Sequence, residues 1–230
     1  MRENILGVKV ETAKVDRERP TLLGTIFAPL QNFERMKRNP IIVFPLVIIF
    51  VLQMTGTIIT AFSLDTNFLL QGDVPKGSEE FLVTFTRISI IAAGGLIPFV
   101  YLFVSSGVQL FLAKFTSSDV KFKQLLSLNI HIMIITVISI WVNGLIKYFI
   151  DGSMPFYVTS FGGLVEPEGG LFGFLNGIEI FAIWHFILRA KGLLIVADFP
   201  KSFAWFTAFL FFAILLFFNI INGMTLTSFK

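Results

Sequence analysis

The stretch of sequence that decides the fold runs from Asn39 to Leu64 and reads NPIIVFPLVIIFVLQMTGTIITAFSL. Between Arg38 and Asp65 it holds 26 residues without a charge. A helix needs about 20 apolar residues to cross the roughly 30 Å hydrocarbon core of a bilayer. The stretch therefore predicts a transmembrane helix, and the spacing of charged residues locates further helices along the chain.

Three other gaps between charged residues are of similar length, and a fifth contains one charge. The uncharged gaps cover 88–113, 124–146 and 202–229, and the fifth stretch, 169–188, holds 20 residues with Glu179 near its middle. We therefore expect an all-α membrane bundle of five transmembrane helices, at about 40–63, 88–112, 125–147, 171–190 and 203–223. The glycines at its start also allow 171–190 to be a re-entrant loop, which would leave four spans.

The composition excludes a soluble protein. Of the 230 residues 55% are apolar and only 14% are charged, and the mean hydropathy is +0.81, whereas a soluble domain is about 25% charged. The chain has no cysteine, which removes disulfides, thiolate metal sites and cysteine nucleophiles. It also has no recognisable catalytic motif or phosphate-binding glycine loop, so we expect no enzymatic activity, no cofactor and no nucleic-acid ligand.

Lys and Arg are unequally divided between the two sides of a five-span chain. Residues 1–39 and the second and fourth loops hold 14 of them, and the other side holds four. Cytosolic segments of membrane proteins carry the excess of these residues. We therefore predict a cytosolic N-terminus and, because five is odd, a C-terminus on the outside.

The segment before the first span has two parts. Residues 1–20 are polar and mixed in charge, which predicts a mobile cytosolic tail. In 21–39 apolar residues recur at helical spacing, which predicts an amphipathic helix in the membrane interface that Pro29 could kink. Its basic end is expected to contact lipid head groups through Arg35, Lys37 and Arg38. The segment is either an anchor of this kind or a docking surface for a cytosolic partner.

Glu179 is predicted to lie within a span, where a carboxylate costs a few kcal/mol unless something compensates for it. One interpretation is a contact with substrate, a proton relay or an ion pair with another subunit. The other is a packing residue, protonated or hydrogen-bonded to Asn176 or to a neighbouring amide such as Asn143. Both remain open at the level of sequence.

Two histidines are predicted at similar depths, His131 in the third span and His185 in the fourth. A metal site needs three or four ligands, and the sequence near them offers too few, so we predict no metal there. His185 and Arg189 are four residues apart, a spacing that puts both on one helix face. We interpret that face as a basic edge near the cytosolic head groups.

Several segments resemble the Yip1-domain family. Leu23–Leu52, LGTIFAPLQNFERMKRNPIIVFPLVIIFVL, is similar to the opening of bacterial members in its prolines and phenylalanine: Pro29, Phe33, Pro40 and Pro45. VKFKQLLSLNIHIMII (120–135) looks like the family's entry into the third span. NGIEIFAIWHFILRAKGL (176–193) looks like its Phe-x-x-Trp segment followed by glycine, here Phe181, Trp184 and Gly192. The resemblance covers roughly 22–222 and implies a five-span fold.

The resemblance also implies a role. Bacterial members of this kind suggest an accessory or assembly subunit of an ABC-type, MacB-like export complex in the plasma membrane, which protects against a toxic antimicrobial peptide. The implied partners are an ABC permease, an ATPase, a membrane-fusion adaptor and membrane lipid. Two alternatives remain. The chain could be a self-sufficient channel or transporter with a polar path past Asn143, Asn176 and Glu179, or it could organise lipid.

Overall fold

The computed structural model describes residues 19–66, 70, 75, 77–150, 154 and 156–227, with the side chains of 226 and 227 not included. Apart from Arg19 and Pro20, the predicted tail 1–20 lies outside the described residues. Within these ranges the fold is helical, with one isolated β-bridge between Ser160 and Glu179.

Eight α-helices make up the described part of the chain. They are α1 (Leu22–Phe27), α2 (Pro29–Arg38), α3 (Val43–Ser63), α4 (Glu79–Ala113), α5 (Phe122–Phe149), α6 (Gly169–Gly177), α7 (Ile180–Val196) and α8 (Lys201–Thr227), with a 3₁₀ turn at Gly162–Leu164. Helices α3, α4, α5 and α8 are long and apolar enough to cross a membrane. They agree with four of the five predicted spans, although α4 begins at Glu79 rather than near residue 88.

The segment predicted as the fourth span, 171–190, is divided. Helix α6 ends at Gly177 and α7 begins at Ile180, so neither has the roughly 20 residues that a span needs. Glycine is a poor helix former, and backbone bonds to the loop before α6 replace those that a continuous helix would make here. Helix α7 continues past residue 190 to Val196.

Helix α5 is the centre of the bundle, and α3, α4 and α7 pack around it. In its most apolar window 72% of residues are buried, against 28%, 17% and 22% in α3, α4 and α8. A helix that is apolar on all sides is suited to such a central position. Hydrogen bonds join α5 to α4: the side-chain amide of Asn129 donates to Ser106 Oγ and Gln109 Oε1, both at 2.9 Å.

Helices α6 and α8 pack at very close range through glycines. A methyl group on Gly173 would collide with the backbone carbonyl of Asn219, and one on Gly223 would collide with the backbone of Gly169 and Gly173. Small residues of this kind let two transmembrane helices approach without side chains between them. The short helix α6 is therefore held against α8 by backbone contact.

The predicted amphipathic segment forms two helices, α1 and α2, which meet at Ala28. Pro29 is the first residue of α2, where its missing N–H costs nothing. The side chain of Asn32 closes this hairpin by bonding both backbone groups of Thr21, each at 2.9 Å. Phe33 and Met36 are fully buried in the core. The apolar face of α2 thus packs on the protein itself.

One end of the bundle gathers three segments. Lys37 of α2 pairs with Asp198, between α7 and α8, at 2.6 Å. The side chain of Gln124 at the start of α5 donates to the Lys37 carbonyl at 2.7 Å, and Ser118 donates to the carbonyl of Ala197. These are the segments that the charge distribution assigns to one side of the membrane. That this side faces the cytosol stays a prediction.

Candidate functional site

The break between α6 and α7 is closed by the loop that precedes α6. The amide of Phe161 donates to the carbonyl of Ile178 at 3.4 Å, and the amide of Ile180 donates to the carbonyl of Thr159 at 3.3 Å. Backbone groups freed by a helix break at membrane depth need partners within the protein. The loop supplies these hydrogen-bond partners, so the chain at the break is ordered and is not a frayed helix end.

The carboxylate of Glu179 lies at the centre of this break. It is only 8% exposed, and its Oε1 atom accepts hydrogen bonds from Asn143 Nδ2 at 2.9 Å, from Thr159 Oγ1 at 2.7 Å and from Ser139 Oγ. The three donors come from α5 and from the loop before α6, so Glu179 joins both elements to the start of α7.

The two predicted amides have different roles at this site. Asn143 contacts Glu179 directly, and its Oδ1 accepts from the amide of Thr159 at 3.2 Å. Asn176 bonds the loop instead: its Oδ1 accepts from the amide of Tyr157 at 2.8 Å and from Ser160 Oγ at 3.0 Å. Both amides thus hold the loop in place, one from α5 and one from α6.

Tyr157 belongs to the same loop, and the negative charge of Glu179 acts on it. Burial of its phenol, and to a smaller extent the negative charge of Glu179, raise the pKa of Tyr157 above its usual range. Its hydroxyl therefore stays protonated at neutral pH.

Sequence reasoning missed three members of the site: Ser139, Thr159 and Ser160. Ser139 lies four residues before Asn143 and therefore on the same face of α5, which is a signal that spacing could have supplied. Thr159 and Ser160 carry no such signal, because only the folding of the loop onto the helix break brings them to Glu179.

His131 does not belong to this site. It lies twelve residues before Asn143 on α5, about 18 Å along the helix. Its Nδ1 bonds the carbonyl of Ser127 at 2.7 Å, and its buried Nε2 has no partner in the described ranges. The hydroxyl of Ser127 donates to the carbonyl of Ile41, which joins α5 to the start of α3.

His185 is held with Arg189 inside the bundle, and its partners differ from those of His131. Arg189 donates to His185 Nε2 at 3.1 Å, and His185 Nδ1 lies 3.1 Å from Thr136 Oγ1. A nitrogen that accepts from a guanidinium carries no proton, so the proton of this neutral ring is on Nδ1. Because Arg189 is only 4% exposed and bonds groups of the protein itself, the interpretation of a basic edge near the head groups is wrong.

The predicted head-group contacts lie in the last turn of α2. Lys37 is engaged by Asp198, as described above, and Arg35 and Arg38 also have interactions within the protein. The same hairpin exposes three large apolar side chains, those of Leu23, Phe27 and Leu30. A helical segment that carries both exposed apolar and basic residues is typical of the membrane interface.

The fold and the buried polar site define a multi-pass helical membrane protein. The model of the Yip1 domain family matches residues 23–221, and the chain belongs to that family. It is similar to membrane protein YknW of Bacillus subtilis (strain 168), with 28% identity over 211 residues that cover 90% of this chain and 91% of the relative. No solved structure matches it.

Proposed function

We propose that this protein is a non-enzymatic accessory or assembly subunit of an ABC-type, MacB-like export complex in the bacterial plasma membrane. The complex protects the cell against a toxic antimicrobial peptide, and its permease, ATPase and membrane-fusion adaptor are the partners. The identity of the complex comes from the family resemblance. The mode of action, binding rather than transport, comes from the geometry of the polar groups.

The observation that carries this proposal is the internal pairing around Glu179. Its Oε1 and the side chains of Asn143 and Thr159 bond to one another. The side chain of Asn176 bonds the loop, at the amide of Tyr157 and the hydroxyl of Ser160. A transport path needs polar groups that can exchange their partners with a solute. Groups already bound to each other favour a rigid scaffold instead, and therefore a role in binding.

A second observation supports a binding role. In the most apolar window of α4 only 17% of residues are buried, and the helix packs mainly against α3 and α5. The remaining faces can meet lipid or the helices of a partner.

The proposal includes five spans, with α6 and α7 together forming one broken span. A protein without cysteine suits the test, because single cysteines can be introduced at exposed positions without removing others. With the N-terminus in the cytosol, Glu166→Cys should react with a membrane-impermeant maleimide in intact cells, and Ser202→Cys only after permeabilisation. Labelling of both positions in intact cells would instead indicate four spans with a re-entrant pair.

Function is tested by purifying the tagged protein from its native membrane in mild detergent, followed by mass spectrometry. We expect stoichiometric recovery of a permease, an ATPase and an adaptor, and loss of toxin resistance on deletion of the protein. Recovery of the protein alone would contradict the proposal. Solute flux through vesicles that contain only this protein would then favour the channel.

The apolar edge of the hairpin, Leu23, Phe27 and Leu30, favours a second candidate function, the organisation of lipid. Full deletion of the hairpin is a poor test because Phe33 and Met36 belong to the core. The variant Leu23→Ser/Phe27→Ser changes only exposed side chains. Loss of toxin resistance with normal recovery of the complex would support a lipid role, whereas normal resistance would contradict it.

A further inference from the structure

Arg189 carries a buried positive charge for which the described part of the chain offers no carboxylate. It lies seven residues before the end of α7 at Val196, about 10 Å along the helix. Its terminal nitrogens donate to Tyr101 Oη at 2.8 Å and to His185 Nε2 at 3.1 Å. Its buried Nε–H has no hydrogen-bond partner in that part of the chain.

The neutral groups around Arg189 compensate its charge only in part. The guanidinium carbon lies 4.5 Å from the ring centre of Phe211 and 5.6 Å from that of Tyr101, and such rings attract a cation. A buried ion without an opposite charge is nevertheless unfavourable, and charged groups in spans usually pair with one another or mark a functional site. Within the described part of the chain the arrangement therefore lacks an anion.

Tyr101 connects this charge to the outer surface of α4. Its oxygen accepts from Arg189, and its own O–H donates to no acceptor within the described ranges. Tyr101 is 39% exposed, and Ile97 and Val104, about one turn before and after it on the same side of α4, are exposed as well. We call Ile97, Tyr101 and Val104 the Tyr101 face.

We propose that the Tyr101 face binds a transmembrane helix of a partner protein through an aspartate or glutamate on that helix. The carboxylate accepts a hydrogen bond from the Tyr101 hydroxyl and supplies the negative charge opposite Arg189. The depth of Arg189 favours a side chain over a lipid phosphate, which lies at the membrane surface. This inference rests on the proposed function, since it names the surface through which the subunit holds the export complex.

The experiment uses the full-length protein in its native membrane, with photoreactive benzoylphenylalanine at position 104. The matched control carries the same residue at position 103, which is also exposed but lies on the opposite side of α4. We expect position 104, and not 103, to cross-link to a span of the recovered complex that contains Asp or Glu. Changing that acid to Asn or Gln should lower the cross-link yield about tenfold.

Two variants of this protein should also lower the cross-link yield at position 104. Arg189→Gln removes the charge, and Tyr101→Phe removes only the hydroxyl while it keeps the ring that packs on Phe211. We expect about tenfold lower cross-linking for the first and a smaller loss for the second. The Tyr101→Phe variant keeps the test decisive if Arg189→Gln does not fold.

The outcomes separate this inference from the proposed function. Unchanged cross-linking in both variants, or lipid adducts alone at position 104 while the complex is still recovered, would overturn the Tyr101 face and leave the accessory role intact. A wild-type protein that is recovered without any export complex would overturn the accessory role, and the Tyr101 face with it.

Discussion

Two buried residues with ionisable side chains, Glu179 just before α7 and Arg189 within it, have opposite surroundings. Glu179 accepts three hydrogen bonds on one oxygen, from α5 and from the loop before α6. Arg189, ten residues later, has neutral partners and an unpaired Nε–H in the described part of the chain. Removal of each group should therefore have different consequences: the first organises the protein's own fold, and the second is suited to contact another molecule.

The largest effect on the free energy of unfolding is expected at Glu179. In Glu179→Ala the side chains of Ser139, Asn143 and Thr159 lose their shared acceptor inside the bundle. A buried donor without a partner costs about 1–3 kcal/mol, so we expect a loss of about 3 kcal/mol or more in the free energy of unfolding. SDS titration of the protein in mixed micelles measures this loss.

The matched control is Glu179→Gln, which keeps an oxygen acceptor in the same place and should cost about 1 kcal/mol. Equal unfolding curves for Glu179→Ala and wild type would contradict a structural role for the carboxylate.

Helix α6 ends at Gly177, two residues before Glu179. Gly173 therefore tests the same region through the packing of α6 on α8 and not through hydrogen bonds to the carboxylate. Gly173→Ala places a methyl group against the Asn219 carbonyl, and backbone cannot yield as a side chain can. We expect a loss of about 2–3 kcal/mol, at the upper end of overpacking costs. Unfolding in the same micelles measures it.

Gly107→Ala on α4 is the control, because a methyl group there meets open space. It should be neutral or stabilising, by up to about 1 kcal/mol, through helix propensity. Similar destabilisation of both variants would mean that helix propensity, and not close packing of α6 on α8, controls the result.

Arg189→Met tests whether Arg189 differs from Glu179 in its effect on stability, because the variant removes the buried charge and keeps an apolar side chain. The variant loses the bonds to Tyr101 and His185, but it no longer buries an ion that has no opposite charge among the described residues. Replacing buried ions by apolar side chains is often neutral or stabilising, so we expect the unfolding free energy to change by less than about 1 kcal/mol. A loss as large as that of Glu179→Ala would show that Arg189 serves the fold as Glu179 does.

The smallest effect is expected at the surface, where Lys37 pairs with Asp198 at 2.6 Å. Their side chains are 35% and 61% exposed, and exposed ion pairs contribute about 0–1 kcal/mol. We expect Lys37→Ala to cost about 0.5 kcal/mol, and less in high salt, where the pair is screened. Lys201→Ala, another exposed lysine, is the control. A salt-independent loss would show that packing, not charge, is responsible.

Much of the helical layout could be predicted from charge spacing. Charges are expensive in hydrocarbon, so the gap between Arg38 and Asp65 is sufficient to locate α3, and the same holds for α4, α5 and α8. The break before Ile180 could not be predicted in this way, because apolar composition continues across it. Its cause is the loop before α6, whose residues Thr159 and Phe161 form backbone bonds with Ile180 and Ile178 in place of those of a continuous helix.

For the candidate site, the sequence identified Glu179, Asn143 and Asn176, because polar groups within apolar stretches stand out. It placed Arg189 at a basic edge near the head groups, because spacing on one helix does not reveal that Tyr101 and Phe211 of other helices cover it. Composition, spans and family membership thus follow from the sequence by itself, since they depend on the cost of charge in lipid and on local pattern. Only the tertiary structure decided that Glu179 has hydrogen-bond donors around it and that Arg189 has no opposite charge among the described residues. The physical reason is that partners far apart in sequence meet only when the helices pack.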